Sequence, residues 1–152
     1  MDDYEATEVV AWANILLESA QVGRLGLLDF DGAPRVLPVT FAVAEGRIWS
    51  AIDQKPKTAK EPARLRFLRR DPRAALTVDR YSDDWDELAW VQVVGRVEIV
   101  AVEEGRAGLE ALSEKYEPYR QEAPAGPLLV LKPERYLWWR AAGERLSPGS
   151  IG

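Results

Sequence analysis

The pattern of apolar and polar residues begins with a segment of helical period. Val9, Trp12, Leu16 and Ala20 recur at three- to four-residue spacing within residues 5–21. That spacing is the period of an amphipathic helix. We therefore predict a helix over residues 5–21 whose apolar stripe packs against the core or an interface.

From residue 24 the period changes to two, which is typical of strands. The predicted strands cover residues 24–30, 35–43, 47–53, 73–81, 88–102 and 128–140. Asp31-Gly32 and Glu45-Gly46 predict tight turns that join the first three strands into a meander. Six short strands in this arrangement favour a small β-barrel with its helices outside.

Three segments between the strands carry other signals. A helix is predicted to start at Thr58 or at Glu61-Pro62 and to stop at Asp71-Pro72. A further helix is predicted over residues 103–116. Residues 117–127 contain Pro and Gly, and we predict a loop there that acts as a lid.

The second predicted strand has two unlike faces. One face is predicted to be core and consists of Leu37, Val39, Phe41 and Val43. The other is smaller and mixed and consists of Val36, Pro38, Thr40 and Ala42. A flat ligand and a solvated edge both fit this second face. Pro38 removes one ladder donor, so the strand needs an edge, a bulge or a non-strand neighbour there.

Neighbouring tryptophans near the end of the chain point to opposite faces of the last strand. Successive side chains of a strand alternate, so Trp138 and Trp139 cannot both lie in one core. An outward Trp indicates an interface or a ligand surface. In the long strand over residues 88–102, Gly95 predicts a bulge or a close approach of another backbone.

The composition restricts the possible chemistry more than it restricts the possible fold. The 152 residues favour one domain over residues 1–152. Because the chain has no His and no Cys, Ser–His, Cys–His and thiolate-metal chemistry is excluded. We predict no metal site. No apolar run is long enough to span a membrane, and the acidic start does not match a signal peptide, so we expect a cytoplasmic protein.

Positive charge is concentrated in one part of an acidic chain. Residues 55–73 hold eight Lys and Arg against Glu61 and Asp71, a net of +6; the whole chain carries −5, so the remainder carries −11. The segment starts with Lys55-Pro56-Lys57-Thr58, where an anion would meet two ammonium groups, a hydroxyl and backbone N–H groups. Two interpretations stay open, a site for an anionic ligand and a solvated helix face.

Five pieces in a fixed order then resemble a known family. They are Asp31-Gly32-Ala33-Pro34-Arg35-Val36, Pro38-Val39-Thr40-Phe41, Lys55-Pro56-Lys57-Thr58, Arg70-Asp71-Pro72-Arg73 and Trp90-Val91-Gln92-Val93-Val94-Gly95-Arg96. Together with Asp84-Trp85 they resemble the split-barrel proteins related to pyridoxamine 5′-phosphate oxidase. The flavin/deazaflavin oxidoreductases that use coenzyme F420 are the more similar subgroup. The resemblance implies a mainly β fold with peripheral helices, a six-stranded split β-barrel, and a homodimer with cofactor sites at the interface.

The resemblance also implies a set of cofactor-binding residues. The ring would lie against Pro38, Val39, Thr40, Phe41, Ser50, Ala51 and Ile52. The phosphate end would be held by Lys55, Lys57 and Thr58. The partner chain would close the site with Trp90, Trp138 or Trp139. No catalytic residue is assigned. Lys55-Pro56-Lys57 replaces the Ser-Arg-Lys of the oxidase, and its C-terminal Arg and His are not recognisable, which argues against pyridoxamine phosphate oxidation.

A protein without His or Cys must leave a redox step to a cofactor. F420 carries a phosphodiester and an oligoglutamate tail, and the basic segment is longer than FMN needs. We therefore expect hydride transfer between reduced F420 and an unsaturated or quinone-like small molecule. The alternatives are an FMN-dependent oxidoreductase of the same fold and a non-catalytic cofactor- or haem-binding protein. The net charge of −5 and the acidic 82–87 loop argue against a nucleic-acid module.

Overall fold

The protein is a curved antiparallel sheet with helices packed on it, seen in a computed structural model that describes residues 9–52 and 61–141. The helices are α1 (Ala11–Ser19), α2 (Ala63–Arg70), α3 (Arg106–Lys115) and α4 (Glu117–Gln121), with a 3₁₀ turn at Trp85–Glu87. The strands are β1 (Gly23–Leu28), β2 (Pro34–Val39), β3 (Ala42–Ala44), β4 (Arg47–Ala51), β5 (Arg73–Arg80), β6 (Ala89–Val100) and β7 (Leu128–Arg140). Among the described residues, no helix is long and apolar enough to cross a membrane.

The sheet curls because its two edge strands follow each other in the chain. The strand order is β2-β1-β5-β6-β7-β4-β3. Only Thr40 and Phe41 separate β2 from β3, so the Cα atoms of Val39 and Ala42 are at most about 11 Å apart, three steps of ~3.8 Å. The two edges of a seven-stranded sheet therefore lie side by side, and the sheet forms a split barrel.

This arrangement confirms the predicted fold class and corrects one of its elements. Residues 35–43 were expected to form one strand, but the first part pairs with β1 and the last part pairs with β4. Over residues 9–52 and 61–141 the barrel consequently has seven strands where six were predicted. Pro38 lies on the edge strand β2, which is one of the positions at which a sheet tolerates proline.

The interior of the barrel is one apolar cluster that α1 and α2 help to close. From α1, Ala13 and Leu17 are 0 % and 2 % exposed, while the predicted stripe residues pack only partly on the cluster. The helix begins at Ala11, later than predicted. From α2, Leu65 and Leu68 are buried in the same cluster.

A second apolar cluster lies outside the barrel, beneath α3. It contains Trp49 and Val130 from the sheet and Leu112 from α3. Gly108 of α3 approaches Trp49 so closely that a Cβ there would lie 2.2 Å from the indole ring. The α3 helix therefore covers the outer face of β3, β4 and the start of β7.

The remaining outer face belongs to β2, β1, β5 and the paired parts of β6 and β7. Its side chains include Val36, Ala75, Val94, Trp90 and Trp139, which belong to neither apolar cluster. Val36 is 71 % exposed and the others are half-buried. Neither apolar cluster of the described residues extends over these five side chains.

The predicted irregularity at Gly95 is confirmed. The β6–β7 register shifts between Val94 and Gly95, where Gly95 faces Pro133. A Cβ on Gly95 would lie 2.0 Å from the Lys132 carbonyl oxygen, so only glycine fits this close approach.

Candidate functional site

Side chains hold the two residues at which the chain crosses from β2 to β3. The Phe41 N–H donates to Tyr116 Oη at 3.0 Å, and Ser50 Oγ donates to the Thr40 carbonyl at 2.7 Å. Tyr116 Oη lies 2.8 Å from the Gln21 carbonyl oxygen and 3.0 Å from that of Phe41, either of which can accept its proton. Backbone groups that leave a sheet ladder need such partners. The crossing is therefore rigidly held.

The corner between α3 and α4 supplies most of these partners. Tyr119 Oη lies 2.9 Å from Thr40 Oγ1, and the Tyr116 and Tyr119 rings meet edge to face at 5.6 Å. Lys115 Nζ lies 4.0 Å from the centroid of the Phe41 ring and donates to the Ala20 carbonyl at 2.6 Å. Burial lowers the pKa of Lys115 to about 8, and it raises the pKa of Tyr116 above its ordinary value.

The predicted ring-binding residues divide between the two sides of the sheet. Pro38 is exposed and Thr40 is half-buried, and both point outward. The inward side chains lie in or against the interior of the barrel and are Val39, Phe41, Ser50 and Ile52. Ala51 is buried beneath α3. A ring outside β2 would consequently meet the side chains of Pro38 and Thr40, with the inward residues contributing only backbone atoms.

A groove of about 260 Å³ lies between β2 and the start of α2. Its lining consists of Leu27, Arg35, Val36, Leu37, Pro62, Ala63, Arg64 and Phe67. Val36 also belongs to the outward row that contains Pro38 and Thr40, so the groove and that row are continuous. Within the described residues, Arg64 Nε is buried without a hydrogen-bond partner. An unpaired buried donor in a groove with two guanidinium groups fits an anionic group of a ligand.

Part of the positive charge of the basic segment, residues 55–73, is neutralised by its two acidic residues. Arg69 makes a two-point bond to Glu61 at 3.1 and 2.8 Å, and Arg73 bonds Asp71 at 2.7 Å. The Arg73 side chain lowers the pKa of Asp71 to about 2. Among the described residues, the ion pairs leave out Arg64, Arg66 and Arg70. In the described part of the segment, residues 61–73, the positive charge outside the ion pairs therefore lies on these three arginines.

The predicted phosphate-binding residues Lys55, Lys57 and Thr58 lie outside the described residues. The described chain ends at Ile52 and resumes at Glu61, one residue before the groove residue Pro62. The sequence therefore connects these lysines directly to the groove, and their role stays a prediction.

The tryptophan prediction is confirmed in its alternation, but Trp138 is the inward residue. Trp138 is 5 % exposed within the core and pairs with Val91 across the strands. Trp139 pairs with Trp90 on the outer face, and both are half-buried. Trp139 therefore replaces Trp138 as the aromatic residue that an outside ligand or a partner would contact.

A larger groove of about 640 Å³ lies away from this region, between α1 and the β3–β4 turn. Its rim carries the carboxylates Glu18 and Glu45 and one cation, Arg47. Because it has no excess of positive charge, it is less suited to an anionic cofactor than the smaller groove beside α2.

Comparison with known proteins now identifies the family of the chain. The sequence matches the family described as pyridoxamine 5′-phosphate oxidase over residues 12–140. The chain belongs to this family. Pyridoxamine 5′-phosphate oxidase-like proteins include flavin-binding oxidoreductases. No curated protein matches the chain in sequence.

Several solved structures share the fold with this chain at low identity. A conserved hypothetical protein from Mycobacterium tuberculosis is 25 % identical, with a TM-score of 0.70 over 97 % of this chain and 95 % of that one. An F420 reductase is 24 % identical, with a TM-score of 0.64 over 84 % of this chain and 98 % of that one. A haem binding protein from Mycobacterium smegmatis is 21 % identical, with a TM-score of 0.68 over 95 % of this chain and 56 % of that one.

Sequence reasoning missed the residues that hold the crossing, above all Tyr116 and Tyr119. Residues 117–127 were expected to form a loop, whereas Glu117–Gln121 form the short helix α4 with Pro118 in its first turn. Pro at the start of a helix is a recognisable signal. This signal would have predicted a short helix after Tyr116, with Tyr116 and Tyr119 close together at the corner between α3 and α4.

Proposed function

We propose that the protein is an F420-dependent oxidoreductase that transfers a hydride between reduced F420 and an unsaturated or quinone-like small molecule. The observation that carries the proposal is the continuous surface from Thr40 and Pro38 to the arginine-lined groove beside α2. In an oxidoreductase family, such a surface fits a flat ring at one end and an anionic tail at the other.

The chain's own residues account for binding the tail. Arg35 and Arg64 line the groove, and Lys57 precedes it in sequence. Each charge-assisted hydrogen bond to a phosphate or carboxylate contributes about 1.5–3 kcal/mol net. Arg66 and Arg70 extend the charge along α2 beyond a single phosphate. This extension favours the phosphodiester and glutamate tail of F420 over the single phosphate of FMN.

The outward side chains account for placing the ring. Pro38 offers a rigid apolar surface, and Thr40 offers the hydroxyl group of the crossing. Reduced F420, when bound there, supplies the hydride from its ring carbon. The Phe41 N–H already donates to Tyr116 Oη. It is therefore not available to donate a hydrogen bond to the cofactor ring.

Two neighbours in fold bear on the choice of cofactor. The F420 reductase shares the fold over most of this chain, which supports the proposal. The haem binding protein shares it as well, but haem iron is commonly held by His or Cys, and this chain has neither. FMN remains the main competitor because the family binds flavins.

We further propose that the protein works as a homodimer with its sites at the interface. The outer face with Val36, Trp90 and Trp139 lies outside both apolar clusters of the described residues. Half-buried aromatic residues in such a position are typical of interfaces. In sedimentation experiments, Trp139→Glu is expected to give monomers at concentrations where the wild type is dimeric, and Glu104→Lys serves as an exposed control.

The cofactor is tested by titrating the protein with F420 and with FMN and following fluorescence. We expect tighter binding of F420 and reduction of enones or quinones when reduced F420 is supplied. Micromolar binding of FMN without binding of F420 would reverse the choice. Binding of F420 without turnover on any acceptor would favour a storage or carrier protein.

The anionic tail is tested with Lys57→Ala and Arg64→Ala. Each variant is expected to weaken F420 binding about tenfold, the effect of losing roughly 1.4 kcal/mol of charge-assisted bonding. Lys132→Ala is the matched control, because Lys132 pairs with Glu98 on the β6–β7 surface. Equal affinities for all three variants would remove the groove from the site.

A further inference from the structure

The crossing carries one hydrogen bond that the backbone does not require. The Phe41 N–H bonds to Tyr116, and the Thr40 carbonyl accepts from Ser50. These bonds already satisfy backbone groups that have left the ladders. The contact of 2.9 Å between Tyr119 Oη and Thr40 Oγ1 joins only two side chains. Its consequence is to fix the direction of the Thr40 hydroxyl.

Tyr119 is itself held from two sides. Its ring meets Tyr116 edge to face at 5.6 Å. The helix that carries it is tied to α3 by Arg120, whose Nη1 donates to the carbonyls of Ser113 at 3.0 Å and Glu114 at 2.7 Å. A hydroxyl positioned by a supported side chain keeps one orientation. Tyr119 can therefore hold the Thr40 hydroxyl in one orientation.

The chemistry of the pair sets the direction of the bond. A phenol is more acidic than an aliphatic alcohol, so Tyr119 is the better donor and Thr40 the better acceptor. A threonine hydroxyl has one proton to donate. With Tyr119 donating, the Thr40 proton remains available to an acceptor atom outside the pair, on the outward side of β2.

We propose that Tyr119 is a positioning residue of the cofactor site, which aims the Thr40 hydroxyl as a hydrogen-bond donor at an acceptor atom of the bound ring. The inference rests on the proposed function, because it assumes a heterocyclic ring against Thr40. It goes further in assigning a role to the α3–α4 corner, more than 70 residues along the chain from the crossing. Thr40 touches the ring, and Tyr119 acts through Thr40.

The test compares Tyr119→Phe, Thr40→Val and the double variant, with Tyr81→Phe as a matched control at a tyrosine that is 69 % exposed. Dissociation constants for F420 and FMN are measured by fluorescence, together with the absorption maximum of the bound ring and the thermal midpoint. Each single variant is expected to weaken the tighter cofactor about 3- to 10-fold, the range of one neutral hydrogen bond. Both are expected to shift the absorption maximum in the same direction.

The double variant decides whether the two hydroxyls act as one unit. If Tyr119 acts only through Thr40, the double variant binds no more weakly than Thr40→Val alone. Additive losses, or a lower thermal midpoint of Tyr119→Phe with unchanged affinity and spectrum, would overturn the proposal. A wild-type protein that binds neither F420 nor FMN would instead reject the proposed function and the inference with it.

Discussion

The two outer faces of the barrel are built from the same sheet but have opposite surroundings. Beneath α3, Trp49 is 5 % exposed and packs against Gly108 and Leu112. On the other face, Trp90 and Trp139 pair across β6 and β7 and remain half-buried. Among the described residues, one tryptophan surface is thus covered by a helix and the other is left half-buried.

The difference shows where the fold leaves room for function. A covered face contributes stability through close packing and cannot admit a ligand. The uncovered face ends at the edge strand β2, where Pro38 and Thr40 point outward beside the arginine-lined groove. The ligand and partner contacts proposed above are placed on this face, and the following variants separate the two roles.

The largest expected effect comes from deleting one tryptophan on each face. Trp49→Ala is expected to lower the free energy of unfolding by about 3–5 kcal/mol, because it removes a buried aromatic side chain and leaves a cavity. Trp139→Ala is expected to lower the free energy of unfolding by roughly 1 kcal/mol, since its side chain is only half-buried. Urea denaturation at equal, low protein concentration measures both. Equal losses would mean that the two faces are alike.

A smaller effect is expected from adding one methyl group to a glycine on each face. At Gly108 the new Cβ would meet the Trp49 ring at 2.2 Å, so Gly108→Ala should cost about 1–3 kcal/mol although alanine favours a helix. At Gly26 the new Cβ would lie 3.7 Å from the Ala75 carbonyl oxygen, an ordinary contact. Gly26→Ala should therefore be neutral or stabilising in thermal unfolding, and a loss of stability there would contradict the description of an open face.

Much of the fold follows from local patterns that the sequence displays. The last strand was predicted over residues 128–140 and has those bounds. The turn predicted at Glu45-Gly46 is present, and both residues have positive φ, 55° and 68°. The crossing at Thr40 and Phe41 was missed because alternation continues through it. Alternation shows on which face of the sheet a side chain lies. It does not show with which neighbouring strand each half of the segment 35–43 pairs.

The candidate site was predictable where its chemistry is local. The basic segment and the small outward residues Pro38 and Thr40 can be recognised in the sequence. Tyr119 could not be found in this way, because its partner Thr40 lies 79 residues earlier and only the folded barrel brings them together. Alternation likewise placed Trp138 and Trp139 on opposite faces, while the pairing of Trp138 with Val91 decides which one is inside.

The smallest expected effect concerns Lys115, at the junction between the covered face and the crossing. Burial lowers its pKa to about 8, below the ordinary value of 10.5, and the nearby Glu18 opposes this change. Between these two values the unfolded chain binds more protons than the folded one, so Lys115 makes the free energy of unfolding rise with pH. The raised pKa of Tyr116 has the opposite effect on the free energy of unfolding at higher pH. The effect of Lys115 is therefore best measured at about pH 7.5–9.5.

Lys115→Met should abolish this rise, whereas Lys132→Met, at a surface ion pair, should keep it. Denaturant titrations at several pH values measure the slope for each variant. The variant also loses the bond to the Ala20 carbonyl, so its stability is expected to be lower at every pH; the slope is the quantity that reports on the buried ammonium. If the wild type and Lys115→Met have the same slope, the ammonium is solvated, and the crossing is then less enclosed than the contact with Phe41 indicates.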